Sequence, residues 1–482
     1  MIDETRINQL VQQVMAEVRS GRTPVAPPTR SASAAPAVSV GVDGVFATVD
    51  EAVAVAAAAF GQLDALPLAL RERMVTAMRR AAEESAGVLA HEAWSETGLG
   101  RYEDKIEKNL LNARKALGTE DLKTGAWSGD HGLTVTEYAP YGVIGALTPS
   151  TNPTSTVICN SINMVAAGNA VVFGAHPSAK NCTAHAVQIL NRAIQSVGGP
   201  KNLLTTIAEP TIEKAQAIMA HKTVRLLTVT GGSAVVRQAM TSGKRAVCAG
   251  PGNPPVVVDE TADLDQAGRD IVKGASFDNN IVCTTEKETF VVDSVGDALI
   301  KSMCAHGAVQ ISSWQLERLC KAIFEENRGP GKPGVMNKQF IGQNASVLLK
   351  QIGIDAGPEV RLIVAVVDRD HPLIWSEQMM PVMPVCKVRH VDEAIDLAVR
   401  AEHGFHHTAM MHSKNLDALS RMARECNCSI FVKNGPCLAG LGQGGEGFCS
   451  FTIASPTGEG ITSPRSFSRI RRCTLVDSFR IV

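Results

Sequence analysis

VRLLTVTGGS, residues 224–233, is the stretch on which the reading of this chain turns. An apolar run from Leu226 to Val229 leads into Thr230-Gly231-Gly232-Ser233, and a helix begins there. Glycines let a backbone approach a phosphate closely, and a helix N-terminus offers free N–H groups and a partial positive charge. The same four residues also suit an ordinary glycine turn. Their neighbours have to decide.

Working outward, the alternation continues. AVVFG (170–174), a helix from about 181, LLTTI (203–207) and a helix from about 210 come before it, and a helix follows Gly232. Strands alternating with helices at this spacing predict a parallel sheet covered on both faces, the frame of a nucleotide-binding domain. Upstream, residues 49–118 read as helical throughout. GLTVTEYAPYG (132–142) then alternates like a strand, and VIGALT (143–148) is another. Downstream, TFVVD, helices from about 296 and 312, RLIVAVV (361–367), a helix at 392–401 and SIFVKN (429–434) predict a second α/β domain. A G-x-G-x-x-G match at Gly440, Gly442 and Gly445 lacks a helix opening on it and reads instead as a flexible loop lining a site or a subunit contact.

Composition narrows the function classes. A chain of 482 residues is long enough for two or three cores, because single cores stop growing at roughly 250–300 residues. Net charge is -1 and no basic block appears, which argues against a nucleic-acid partner. No apolar run approaches the ~20 residues of a membrane span, and the N-terminus lacks signal-peptide order, so the expected location is cytoplasmic with no membrane partner. Twelve cysteines in such a chain read as reduced thiols. Cys426-x-Cys428, near His403, His406, His407 and His412, lacks zinc-site spacing, and no metal is expected.

At the N-terminus, Ile7, Leu10, Val11, Val14 and Val18 recur at helical spacing, and a Pro-, Ala- and Ser-rich stretch follows. The expected organisation is an amphipathic helix (1–19) and a disordered linker (20–44) ahead of two α/β domains. One thiol draws notice. In SFDNNIVCTTEKE (276–288), Cys283 sits among polar residues, though a free cysteine is as readily a small hydrophobe in a core.

Several motifs occur in a specific order: GVIGALTPSTNPT (142–154), AAGNAVVFGAHPSAK (166–180), TVTGGS (228–233), AGPGNPPVVVDETADLD (249–265), SFDNNIVC (276–283), EQMMPVMPV (377–385) and HTAMMHSKN (407–415). Together they resemble the aldehyde dehydrogenase superfamily, and within it the CoA-acylating branch, over nearly everything from residue 45 onward. The resemblance implies two Rossmann-like domains, a nucleotide-binding one at 45–248 and a catalytic one at 249–437, with a return to the cofactor domain at 438–482. It also implies a small β oligomerisation extension, built from the 130–142 strand and the tail from about 464, in a homodimer or homotetramer. It implies Cys283 as nucleophile, with Asn152 and the Cys283 N–H stabilising the alkoxide, and hydride transfer to NAD. It places Thr148, Pro149, His176, Pro177, Thr230, Gly231, Gly232, Ser233, Gly250 and Glu377 at the cofactor.

Two departures point to the branch. Hydrolytic members carry Glu-Leu-Gly-Gly-Lys, with a glutamate that activates water, where this chain has Ala249-Gly250-Pro251-Gly252-Asn253. His176-Pro177 stands where they usually have Lys-Pro. An alanine is no general base, so the resemblance implies coenzyme A as the second nucleophile, with His407 as a helper for its thiol or as a structural histidine. A hydrolytic dehydrogenase and a non-enzymatic scaffold are the competing readings. The implied substrate is a short-chain aldehyde, propionaldehyde before acetaldehyde. The helix at 1–19 resembles encapsulation peptides that bind the shell proteins of bacterial microcompartments.

Overall fold

The computed structural model describes residues 40–481. The amphipathic helix expected at 1–19 and the linker as far as residue 39 lie outside the described residues. Residues 40–44 do not continue a disordered linker. Asn191 donates to the Asp43 carbonyl at 2.8 Å, and Arg192 pairs with the Asp43 carboxylate at 2.7 Å, which fastens this turn to the helix Lys180–Ser196.

Two parallel sheets carry the molecule. The first has six strands in the order Val45–Phe46, Leu204–Ile207, Ala170–Gly174, Val143–Leu147, Val224–Thr230 and Arg245–Ala249. Its interior strands are buried along their length save for Arg225, as a sheet covered on both faces requires. Val143–Leu147 is central. The chain builds outward from it on one side and then returns to build on the other, so the edge between Val143–Leu147 and Val224–Thr230 is a topological switch point, where open α/β sheets bind ligands.

The second sheet has seven parallel strands, in the order Ala308–Gln310, Leu362–Val366, Val382–Val388, Glu288–Val292, Pro255–Val258, Thr408–His412 and Ile430–Lys433. A separate antiparallel ribbon pairs Gly132–Pro140 with both Gly125–Gly129 and Ser468–Val476. The extension thus has a third strand, at 125–129, beyond the two expected.

The helical region at 49–118 resolves into Val49–Asp64, Leu68–Glu84, Ala86–Thr97 and Tyr102–Lys115. A capping box between Thr48 and Glu51 starts the first, and left-handed Gly98 ends the third. The glycine-rich match at 440–445 is packed rather than mobile. A Cβ on Gly440 would lie 2.3 Å from the Ile430 side chain, and the following segment buries Cys449, Phe451 and Ile453.

Candidate active site

At the first sheet, the register aligns Leu147 with Gly174 on one side and Val229 on the other. Three turns therefore meet at one edge: Thr148-Pro149, His176-Pro177 and Thr230 to Ser233. The Thr148 N–H donates to the Gly174 carbonyl at 3.1 Å, while its buried hydroxyl has no partner. Ser233–Met240 is the helix that opens on the glycines, and a Cβ on Gly232 would meet nothing within 4 Å. Gly231 is held by its N–H to the Ala249 carbonyl at 3.1 Å, and Thr230 Oγ1 lies 3.0 Å from Thr452 Oγ1. His176 is exposed and accepts the Ser178 N–H through Nδ1. An orphaned hydroxyl, an open glycine cradle and a free helix N-terminus together fit a dinucleotide.

Cys283 belongs to the other sheet. Asp278, Asn279 and Asn280 take positive φ in succession, 48°, 54° and 67°, which Asp and Asn tolerate better than bulkier residues. Their side chains then anchor the turn. Asp278 accepts the Arg101 N–H at 2.7 Å, Asn279 donates to the Gly342 carbonyl at 2.8 Å, and Asn280 donates to the Ala275 and Glu286 carbonyls. Beneath them, buried Lys287 donates to the Asn280 carbonyl at 2.8 Å, to Asn280 Oδ1 at 2.6 Å and to Thr285 Oγ1 at 3.0 Å. One ammonium thus closes the loop that presents the half-buried Cys283.

Gly252 is where the site converges. A Cβ there would lie 2.8 Å from the Cys283 carbonyl oxygen and 3.1 Å from the His407 ring, and its N–H donates to Glu377 Oε1 at 3.5 Å. Desolvation, and then the Glu377 carboxylate, push the Cys283 thiol up to about 12, against the pull of Lys287. Burial also raises the Glu377 carboxyl. Burial and then Lys287 hold His407 down at about 4. His407 Nδ1 contacts Thr408 Oγ1 at 2.8 Å, its N–H donates to Glu402, and buried Nε2 has no partner. It is a neutral imidazole with one nitrogen uncommitted.

Asn152 caps the buried helix Pro153–Ala166. Its Oδ1 accepts from Lys108 Nζ at 2.7 Å, and Nδ2 donates to Thr151 Oγ1 at 3.1 Å. Lys108 also bonds Asp278, so Asn152 and the Cys283 turn share one buried polar network. Gly250 stands apart from this centre, in the crossing between the two sheets, where its Cβ position lies 3.1 Å from Pro456.

The structure thus gathers Cys283, Gly252, Glu377 and His407 in loops that lead into the N-terminal ends of four parallel strands of the second sheet. The remaining expected cofactor residues, Gly250 aside, line the C-terminal edge of the first. Lys108, Asp278 and Lys287 were not singled out from sequence. Lys108 lies in EDKIEKN, which reads as a solvated helix face, and Lys287 in an ordinary charged run.

Comparison with known proteins follows the geometry. The model of the aldehyde dehydrogenase family matches residues 38–313. The acetylating acetaldehyde dehydrogenase EutE of Salmonella typhimurium is 47% identical over 482 residues, all of both chains. A CoA-propanoylating propanal dehydrogenase of the same organism is 45% identical over 91% of this chain and 93% of its own length. Among solved structures, the Rhodopseudomonas palustris propionaldehyde dehydrogenase with bound CoA and an acylated cysteine superimposes with a TM-score of 0.88 at 46% identity, over 90% of this chain and 98% of that one. A propionaldehyde dehydrogenase from a Clostridium phytofermentans fucose utilisation microcompartment also gives 0.88, at 42% identity over 91% of this chain and all of its own. With the fold, the motif order and these likenesses in agreement, the chain belongs to the aldehyde dehydrogenase family.

Proposed function

We propose that this chain is an NAD-dependent, CoA-acylating aldehyde dehydrogenase acting on a two- or three-carbon aldehyde, propanal first and acetaldehyde second. The observation that carries it is the pairing of a presented Cys283 with an alanine, Ala249, at the position of the hydrolytic glutamate. Acylating relatives for both aldehydes share 45–47% of its residues.

Bound NAD supplies the hydride acceptor and bound CoA the second thiol. The chain's own residues do the rest. The Cys283 thiol releases its proton to solvent as its sulfur adds to the aldehyde carbonyl carbon, and the carbonyl electron pair moves onto oxygen. The Asn152 amide and the Cys283 N–H donate to that oxygen, where charge develops in water-poor surroundings. When the pair falls back and hydride leaves, a thioester remains on Cys283. No residue at position 249 can activate water, so the acyl group waits for a thiol. His407, neutral with Nε2 uncommitted, accepts the thiol proton. Thr230, Gly231, Gly232, Ser233 and Thr148 hold the dinucleotide, and Glu377 its ribose.

The test is NADH formation from propanal and from acetaldehyde, with and without CoA. The expected result is one turnover without CoA, a steady state with it, and loss of both in Cys283→Ser. Steady CoA-independent turnover would return the chain to the hydrolytic class. The ratio of kcat/KM for the two aldehydes ranks them, one methylene being worth roughly 1–3 kcal/mol. Segment 1–19 as a shell-protein ligand, a microcompartment location and a dimer or tetramer through the β ribbon belong to the same proposal. The microcompartment origin of one similar structure supports the location.

A further inference from the structure

The helix Tyr102–Lys115 turns its polar side inward. Asp104, Lys105, Lys108, Asn109 and Asn112 are all buried, and Lys108 is 2% exposed. A buried ammonium has to be compensated, and Asp278 does this for two lysines at once: Lys105 at 3.1 Å and Lys108 closer still. One lysine suffices to neutralise one carboxylate. Lys108 is therefore surplus to the charge balance of Asp278. Its other two hydrogen bonds both go to the turn that carries Asn152, to the Thr151 carbonyl at 3.1 Å and to Asn152 Oδ1 at 2.7 Å.

A lysine offers only donors, so the amide end facing it must be the oxygen. That settles the orientation of the Asn152 amide, which amide geometry alone leaves ambiguous. Nδ2 then points away from Lys108. One of its hydrogens goes to Thr151 Oγ1, and the other has no partner among the described residues. A cation on Oδ1 also draws electron density from the amide and strengthens Nδ2–H as a donor.

We propose that Lys108, anchored on Asp278, is a positioning residue that holds the Asn152 amide with its free N–H toward the aldehyde oxygen and polarises it. This rests on the reading of Asn152 as an oxyanion donor. When the Cys283 sulfur bonds to the carbonyl carbon, the displaced electron pair sits on the oxygen that this N–H meets. The pair returns to the C=O bond as hydride departs. The CoA thiol passes through the same geometry when it adds to the thioester and the Cys283 sulfur leaves, so both half-reactions feel Lys108.

The experiment is a double-mutant cycle on the full chain, with Lys108→Met, Asn152→Ala and their combination. It is read as the single-turnover rate of NADH formation from propanal without CoA, and as kcat with CoA. Removing an oxyanion donor typically costs roughly 10²- to 10³-fold. Asn152→Ala should show a loss of that size, Lys108→Met a loss of about 10- to 100-fold, and the combination no more than Asn152→Ala alone, because coupled residues do not add. Lys108→Met leaves Lys105 and Asp278 paired one to one. Should it still fail to accumulate as soluble protein, Lys108→Gln, which keeps an N–H for Asn152, carries the cycle and should retain more activity.

The iodoacetamide alkylation rate of Cys283, which involves no oxyanion, should fall far less than turnover, because the Lys108 charge acts on the thiol less than burial, Glu377 and Lys287 do, and NAD affinity should stay within about twofold of wild type. Multiplicative losses in the cycle would overturn the inference. So would an alkylation rate that falls in step with turnover, since Lys108 would then act on the thiol by its charge. Full activity of Asn152→Ala would overturn the oxyanion reading itself, an outcome distinct from either.

Discussion

Gly252 has no side chain: its N–H donates to the Glu377 carboxylate, and the space a Cβ would need is taken by the Cys283 carbonyl and the His407 ring. Gly252→Ala would drive a methyl to 2.8 Å from the Cys283 oxygen, closer than Cβ atoms ordinarily come, so the nucleophile loop must shift. Misplacing a reacting group by about 1 Å can cost about 10²-fold in rate. We expect kcat/KM to fall by about 10- to 100-fold with a stability loss of about 1–3 kcal/mol, as overpacking gives, checked by steady-state kinetics alongside urea unfolding. Glu286 sets a second test. Its buried carboxyl, holding the Cys437 N–H at 2.8 Å, is pushed up to about 7 by burial. Between the unfolded value of about 4.5 and about 7 the folded chain binds the extra proton, so this group's contribution is whole at low pH and is lost as pH rises through that window. The loss across that window is on the order of 3 kcal/mol, and Glu286→Gln should flatten the slope of unfolding free energy against pH there. Cys283 was singled out by its motif, but its raised thiol was not legible, because that depends on the desolvation and the Glu377 carboxylate that folding brings to it.

At the scale of elements, the glycine turn after Val224–Thr230 and the alternation around it were readable because buried parallel strands are short, apolar and bounded by turn residues. Pro255–Val258, Val382–Val388 and Thr408–His412 were not legible as strands. PVVV is too short to show a period, VMPVCKV is interrupted by proline, and TAMMH leans on methionine, so only valine content marks the first two and nothing marks the third. Yet these three, with Glu288–Val292, carry the site at their N-terminal ends. The helix Tyr102–Lys115 misled for the opposite reason. Its charged face reads as solvated, and the structure buries that face against Asp278 and Asn152. The loop Asp278 to Glu286 is an element in its own right, and Lys287 closes it. Lys287→Met leaves two carbonyl groups and a hydroxyl without their donor and removes a charge that favours the thiolate. Thermal unfolding should show a destabilisation of about 3 kcal/mol, the lower end of the cost of breaking a buried charged contact, and iodoacetamide should alkylate Cys283 more slowly than in wild type at pH 8.

At the scale of the whole molecule, two sheets face the site with opposite ends. The first offers the C-terminal edge usual for nucleotide binding, which carries Thr148, and the second its N-terminal edge, which carries Cys283, 135 residues further along by their numbers. On the three-stranded ribbon Trp127, Ile470 and Val476 are exposed. We propose that residues 1–19 serve targeting and not catalysis. Fusing them to a fluorescent protein should carry it into microcompartment shells, and Leu10→Asp with Val14→Asp should abolish this while purified enzyme keeps its kcat. Unchanged targeting by that variant, scored by microscopy, would remove the shell-binding reading. What the sequence determined by itself was local or collinear: strand and helix periods, the turn glycines, and the order of motifs. The tertiary structure alone decided that Lys108 and Lys287 are buried and face the chemistry. It also decided that Gly252 must be bare and that the Asn152 amide points one way, because each depends on desolvation and on contacts between segments far apart along the chain.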